Sequence, residues 1–181
     1  NEFETVARIN NYKIEEYEKY VGNKTNIWFN GANQKLKKQK INPSQIVVFI
    51  PSEIQKRKNI IQITKRIKKR LYLNPEDLYK LIPVEKMSNY EQQISGKRLT
   101  TGFCSILWAL DNYENIFIHG FDFFQDKKEH YYDSYVSKKI ANLKIRKKAS
   151  KHDNVAEKLF VEKLLLNKKV IKLSNYIKNI N

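Results

Sequence analysis

Short apolar runs, separated by stretches with helical periodicity, constrain the fold of this chain most. The run Gln45–Ile50 is almost continuously apolar and is stopped by Pro51. Runs of this kind are typical of buried strands in a parallel sheet, because helices cover both faces of such sheets. Three further segments have the same character: Asn26–Phe29, Asn115–His119 and Val170–Leu173.

Helical segments fill the intervals between these runs. Isoleucine and leucine recur among lysines from Ser52 to Leu71, which predicts one helix with Ser52 as its N-cap. Further helices are predicted at Phe103–Leu110 and Val155–Leu166. The alternation predicts an α/β fold with a mostly parallel sheet and helices on both faces. The chain has no internal repeat and no Gly/Ser-rich linker, so we expect one domain over residues 1–181.

The chain is strongly basic, with 35 Lys and Arg against 19 Asp and Glu and a net charge of +16. This charge favours an anionic partner: a nucleic acid, a membrane surface or a phosphorylated substrate. A genome biased toward Lys, Asn and Ile codons is the competing explanation. Because lysines greatly outnumber arginines, which read bases best, we expect no specific nucleic-acid binding and favour peripheral contact with an anionic membrane.

Simple counts exclude several other classes of protein. No apolar run approaches the ~20 residues that a membrane span needs, and the polar first residues have no signal-peptide pattern. Cys104 is the only cysteine, so the chain has no internal disulfide and suits a reducing compartment. We therefore expect a cytoplasmic protein that associates peripherally with the inner membrane.

Connections that follow strands are the first candidates for a site, because ligands of open α/β sheets bind beyond the carboxyl ends of the strands. Thr100, Thr101 and Gly102 open a predicted helix. Backbone N–H groups at a helix start bind anions, and glycine permits close approach of a ligand. The structural alternative is an ordinary Thr N-cap followed by a core helix.

A second connection carries Gly120 and Asp122, which follow the strand predicted at Asn115–His119 and fit the lip of a site. Their alternative is a tight turn with a self-capping Asp. The chain contains no Asp-x-Asp pair and no Cys/His cluster. Both absences argue against a bound metal, so we expect neither a metal nor a cofactor.

Two histidines occur in patterns suited to proton transfer. His130 opens a polar and aromatic cluster with Tyr131 and Tyr132, and His152 lies just before a predicted helix. Imidazole exchanges protons close to neutral pH, as a general acid or base must. Either histidine is therefore a candidate catalytic group.

Two nearby features have both a structural and a functional interpretation. Glu157 has capping-box spacing with Asn154, which would make it a structural residue. Residues 125–151 are highly charged, lack glycine and proline, and lie between two of the candidate site motifs, as a lid over an anionic donor would. A solvated helix from Tyr135 to Ser150 is the alternative.

Taken in order, these segments resemble the sialylmotifs of glycosyltransferase family 29, the sialyltransferases. The bacterial sialyltransferases of family 42 are similar through Arg8-x-Asn10, Trp28-Phe29-Asn30, the Thr-Thr-Gly turn and Gly-x-Asp-Phe. The resemblance covers most of residues 6–165, although residues 35–95 match no known motif. Residues 6–11 with 21–25 resemble the large motif of family 29, and residues 99–122 resemble its small motif. Residues 130–133 resemble the third motif, and the His-x4-Glu pair His152 and Glu157 resembles the very small motif.

The resemblance implies a Rossmann-like, GT-A-type domain that moves sialic acid from CMP-sialic acid to a hydroxyl of a glycan or glycolipid acceptor. Transfer would invert the anomeric centre and need no metal. CMP-Kdo or another CMP-nonulosonate is the alternative donor. The implied setting is bacterial, in protein glycosylation or lipooligosaccharide biosynthesis. A non-catalytic basic module that binds nucleic acid or anionic lipid and an inactive fragment are the rival interpretations.

The resemblance also implies which residues bind the donor. Asn10 and Asn30 would contact the nucleotide and its phosphate. The carboxylate and ribose side of the donor would be held by Thr100, Thr101 and Gly102. Family members also begin with a strand and a Gly-Asn-Gly-type donor loop, which we expect to be missing from residues 1–181.

Catalytic roles are implied for the histidines. His152 would be the general base on the acceptor hydroxyl, and His130 or Tyr131 would stabilise the leaving phosphate. Where family 42 has a phosphate-binding tyrosine after Gly-x-Asp-Phe, this sequence has Phe124, which lacks a hydroxyl. That change shifts the stabilisation of the phosphate onto His130, Tyr131 and Tyr132.

Overall fold

The computed structural model describes residues 3–33, 43–94, 98–121 and 152–178. The chain divides into two compact units, Asn1–Tyr90 and Glu91–Asn181. Each unit has its own parallel strands and its own helices. The segment 125–151, for which a lid or a helix is predicted, lies outside the described residues.

A four-stranded parallel sheet forms the first unit. Ile9 pairs with Phe29, and Phe29 pairs with Val47, so these strands end at the same edge. The α/β fold with a parallel sheet, predicted from the apolar runs, is confirmed. The strands lie side by side in chain order: β1 (Ala7–Ile9), β2 (Ile27–Asn30), β3 (Gln45–Val48) and β4 (Lys80–Leu81).

The extent of burial explains which of these strands could be predicted from an apolar run in the sequence. All four residues of β2 are buried, and β3 becomes buried at Val47 and Val48. The outer strands β1 and β4 are shorter and carry Arg8 and Lys80 instead of a continuous apolar run. Pairing with an already formed neighbour supplies their backbone hydrogen bonds, so a weak local pattern is enough.

The single helix predicted after β3 is wrong, because two helices are present, α2 (Ser52–Arg57) and α3 (Ile60–Leu71). Lys58 is extended, with φ −121° and ψ 142°, and ends α2. The side chain of Asn59 accepts a hydrogen bond from the backbone N–H of Gln62 at 2.9 Å and so caps α3. Asparagine is among the strongest N-caps, and here it restarts the helix.

The core of the first unit packs α3 against the sheet. Ile63, Ile67 and Leu71 recur every four residues on one face of α3 and are nearly inaccessible to solvent. They cluster with Trp28 of β2 and Val48 of β3. Burial of each such side chain contributes about 1.5–3 kcal/mol. This packing holds the carboxyl edge of the sheet in place.

The remaining helices of this part are short. Helix α1 (Glu18–Val21) lies between β1 and β2 along the chain, and α4 (Val84–Glu91) crosses the boundary between the units. Ser52, predicted as an N-cap, is instead the buried first residue of α2, and Pro51 occupies the capping position. Within the described ranges, no helix has both the length and the apolar composition to cross a membrane.

The second unit joins helices to a two-stranded parallel sheet. Phe103 and Trp108 of its first helix are buried, and the ring of Phe103 meets that of Phe160 edge-on at 5.3 Å. The helices and strands predicted for this part of the chain are confirmed, although its strands are only two residues long. The elements are α5 (Thr101–Asn112), β5 (Phe117–Ile118), α6 (Asn154–Leu166), β6 (Ile171–Lys172) and α7 (Leu173–Lys178).

Candidate functional site

In the first unit, Asn10 and Asn30 lie at the carboxyl edge of the sheet. Asn10 directly follows the last residue of β1, and Asn30 is the last residue of β2. The residues before them, Ile9 and Phe29, are paired across the two strands. Asn10 has a left-handed backbone, with φ +54°, and its N–H donates to the Phe29 carbonyl at 2.8 Å. The indole Nε1 of Trp28 donates to the Asn10 carbonyl at 2.8 Å. The turn that carries Asn10 is therefore fixed to β2.

The side chain of Asn30 is buried and only half satisfied. Its residue is 2% exposed. The Oδ1 atom accepts a hydrogen bond from the Ala32 N–H at 2.8 Å, whereas the Nδ2 atom has no partner in the described part of the chain. A buried amide donor without a partner costs about 1–3 kcal/mol. An acceptor atom of a bound ligand, such as a phosphate oxygen, would satisfy it.

Arg8 has a structural position in the same unit. Its Nε donates to Thr25 Oγ1 at 3.0 Å, and its Nη2 donates to the carbonyls of Val21 at 2.6 Å and Gly22 at 2.9 Å. The guanidinium thus ties β1 to the segment before β2. These are the two segments that together resemble the large sialylmotif, and Arg8 joins them physically.

In the second unit, Thr100 begins α5 as an N-cap. Its Oγ1 accepts a hydrogen bond from the Phe103 N–H at 3.1 Å, as the structural alternative predicts. The first N–H groups of any helix, here those of Thr101 and Gly102, have no acceptor within the helix. The partial positive charge of a helix start favours an anion at this end. The hydroxyl of Thr100 already serves as the cap, so this helix start offers an anion the backbone N–H groups of Thr101 and Gly102.

The carboxylate of Glu157 accepts two hydrogen bonds from Thr100. Its Oε1 accepts from the Thr100 N–H at 2.7 Å, and its Oε2 accepts from the Thr100 hydroxyl at 2.6 Å. Glu157 is only 1% exposed. Burial raises the pKa of this carboxyl to about 6, although the two hydrogen bonds from Thr100 counteract the shift. The start of α5 is thus fastened to α6 by one bidentate contact.

The capping box predicted for Asn154 and Glu157 is wrong. The N-cap of α6 is Asp153, whose side chain accepts from the Ala156 N–H at 3.1 Å. The carboxylate of Glu157 is therefore available for Thr100, which is 57 residues away in sequence. Local spacing suggests a local partner and carries no signal for a contact at this distance.

His152 lies beside the same segment. Its Nδ1 is 2.6 Å from the carbonyl oxygen of Arg98, and the residue is half-buried. A carbonyl oxygen only accepts hydrogen bonds, so Nδ1 carries the proton and donates it. In the neutral ring Nε2 then has a lone pair, which is the form a general base requires. Glu157 contacts Thr100, and His152 contacts Arg98, one residue before the segment that resembles the small motif, so both residues of the His-x4-Glu pair pack against the start of that segment.

Two positions of the small motif favour glycine, each for a different structural reason. A Cβ on Gly102 would lie 3.3 Å from the ring of Phe121, so the absence of a side chain at this position makes room for that ring. Gly120 has φ +73° in open space and provides the left-handed turn after β5. Asp122 and the cluster of His130, Tyr131 and Tyr132 lie outside the described residues.

In the described parts of both units, no three His, Cys, Asp or Glu side chains gather as they would to hold a metal ion. The only cysteine, Cys104, is buried in α5 with a free thiol, and burial raises its pKa.

Comparison with known proteins assigns the chain to a family. Residues 1–169 match the family model of glycosyltransferase family 29 (sialyltransferase). Neither the curated proteins nor the solved structures contain a match to the chain. The matched range takes in the carboxyl-edge asparagines, the Thr100 turn, His152 and Glu157. The chain belongs to glycosyltransferase family 29, the sialyltransferases.

Proposed function

We propose that this protein transfers sialic acid from CMP-sialic acid to a hydroxyl of a glycan or glycolipid acceptor, with inversion and without a metal ion. Membership of family 29 supports the reaction class. The observation that carries the proposal is His152, whose Nδ1 donates to the Arg98 carbonyl at 2.6 Å and whose Nε2 is thereby an acceptor. A neutral ring with an acceptor nitrogen is the form that a general base needs, which supports His152 in that role.

The proposed step is a single displacement. The acceptor hydroxyl attacks the anomeric carbon as its proton passes to Nε2 of His152. The bond between that carbon and the phosphate oxygen breaks, and CMP leaves with the electron pair. Negative charge then grows on the phosphate, where oriented donors are the most effective stabilisers. His130, Tyr131 and Tyr132 are proposed as the side-chain donors for that charge.

Two sets of groups are proposed to bind the donor: the asparagines at the carboxyl edge of the sheet and the backbone N–H groups at the start of α5. The unpartnered Nδ2 of Asn30 supports a contact with the phosphate of CMP, and Asn10 is proposed beside it. The backbone N–H groups of Thr101 and Gly102 suit the donor's carboxylate, because a helix start attracts an anion. The roles of Gly120 and Asp122 as the lip of the donor site and the single domain over residues 1–181 also remain proposals.

The first prediction concerns the reaction itself. The purified chain is expected to release CMP from CMP-sialic acid when a galactoside acceptor is present, and to do so equally well with EDTA. Chromatography of nucleotide and glycan products measures both halves of the reaction. CMP-Kdo in place of CMP-sialic acid tests the alternative donor. Failure to release CMP from either donor with any acceptor, in a chain that still binds CMP, would contradict the proposed transfer.

The second prediction concerns Asn30. Asn30→Asp keeps the oxygen that accepts from Ala32 but replaces the buried N–H donors with negative charge. Because a hydrogen bond to a charged group contributes about 1.5–3 kcal/mol, CMP affinity should fall roughly 10–100-fold. Isothermal titration with CMP and with cytidine separates the phosphate contact from nucleoside binding. Asn30→Ala is the uncharged second variant; equal loss of cytidine and CMP binding in both variants would contradict a contact to phosphate.

A further inference from the structure

The most concentrated basic surface of the described chain lies on α2 and α3. Residues 54–71 contain eight lysines and arginines and no acidic residue. Arg66 and Arg70 donate to the backbone carbonyls of Ala32 and Asn33, and Lys68 donates to that of Pro75. The acceptors of these three contacts are neutral backbone carbonyls. Five more cations are exposed: Lys56, Arg57, Lys58, Lys65 and Lys69.

Apolar side chains frame this basic surface. Ile60 and Ile61, at the start of α3, are 62% and 73% exposed, and Tyr72, at its end, is 54% exposed. Ile61, Lys65 and Lys69 recur every four residues and form one stripe along the solvent face of the helix. From Ile61 to Tyr72 this stripe extends about 16 Å. The opposite face of α3 is fully used in the core.

We propose that this α3 surface, made by Ile60, Ile61, Lys65, Lys69 and Tyr72, docks the protein on an anionic lipid bilayer. Lysines would lie among the headgroups, and the isoleucines would enter the boundary with the acyl chains. Nucleic acid would also attract the charge, but an intact duplex presents mainly charged phosphates and gives exposed isoleucines much less apolar area than acyl chains do. This surface is independent of the proposed transferase activity, because none of its residues belongs to the proposed site.

Sedimentation with vesicles tests the α3 surface on the full chain. Vesicles of phosphatidylcholine alone should not bind, whereas vesicles that also contain phosphatidylglycerol should bind at low salt. Lys65→Gln/Lys69→Gln should weaken that binding about 30-fold, since each lysine near such a surface contributes about fivefold. Ile61→Ser should weaken it severalfold and leave a binding that high salt abolishes more readily.

A matched control removes two charges elsewhere. Lys163 and Lys169 are exposed in the second unit, so Lys163→Gln/Lys169→Gln changes the net charge equally. It should bind vesicles as the unchanged chain does. An equal loss in this control, no binding to phosphatidylglycerol vesicles, or full binding by Ile61→Ser would each overturn the proposal. Binding to a short DNA duplex that depends on Lys65 and Lys69, without vesicle binding, would overturn it in favour of nucleic acid.

Discussion

Replacing His152 with alanine is expected to lower kcat for transfer by about 10²–10⁴-fold, the usual contribution of a general base. CMP affinity should stay within about twofold, because the proposed base acts on the acceptor hydroxyl and not on the nucleotide. Steady-state kinetics of CMP release and titration with CMP measure the two quantities separately. A loss confined to kcat identifies the group that moves the proton.

A purely structural role for His152 predicts a different pattern. Loss of the bond to the Arg98 carbonyl would then disturb the neighbouring turn and weaken donor binding together with turnover. His119→Ala is the matched control, because His119 is exposed and has no proposed role. Wild-type turnover by His152→Ala would reject His152 as the base.

The sheet of the first unit could be predicted where burial is uniform. Strand β2 is buried at every position and the end of β3 is buried too, so their sequences are apolar without interruption. Strand β1 contains Arg8, whose partners lie 13 to 17 residues further along the chain. A local sequence pattern cannot predict a strand whose arginine is bound by residues so far along the chain. The division of the predicted helix into α2 and α3 at Asn59 is not visible in the sequence, because the apolar periodicity continues across it.

The candidate site was predictable as residue types in order, but its contacts were not. The order of motifs pointed to Thr100, His152 and Glu157, whereas the bidentate contact between Glu157 and Thr100 spans 57 residues. The acceptor for His152 is a backbone carbonyl, which every residue has, so no sequence signal marks Arg98. These contacts give the separate motifs a physical reason to occur together.

Glu157→Ala is expected to destabilise the fold by about 2–4 kcal/mol, because it leaves the N–H and hydroxyl of Thr100 without their acceptor and opens a small cavity. Transfer should fall with it, since Thr100 caps the helix whose first N–H groups are proposed to hold the donor. Denaturant unfolding at neutral pH measures the stability. An unchanged midpoint would show that the two hydrogen bonds contribute nothing.

Glu157→Gln separates the charge from the hydrogen bonds. The amide oxygen can still accept from the Thr100 N–H, and its NH₂ can donate to the Thr100 hydroxyl oxygen. This variant should therefore match the stability of the wild type below about pH 4.5, where Glu157 is protonated, unfold no earlier than the wild type at neutral pH, and retain most of the transfer activity. Retention by Gln together with loss by Ala would identify Glu157 as a positioning residue that acts through Thr100.

The two proteins should then differ in how their stability depends on pH. The folded-state pKa of Glu157 is raised to about 6 from the model-compound value of 4.5, so the folded chain binds more protons than the unfolded chain between these values. Stability conferred by the protonated carboxyl is present below the lower value and is lost as pH rises through the upper one. The loss should be about 2 kcal/mol in the wild type and absent in Glu157→Gln. Unfolding free energies of both proteins, measured across this interval, give the difference directly; parallel curves would mean that Glu157 has no raised pKa and that the buried carboxylate ionises without cost.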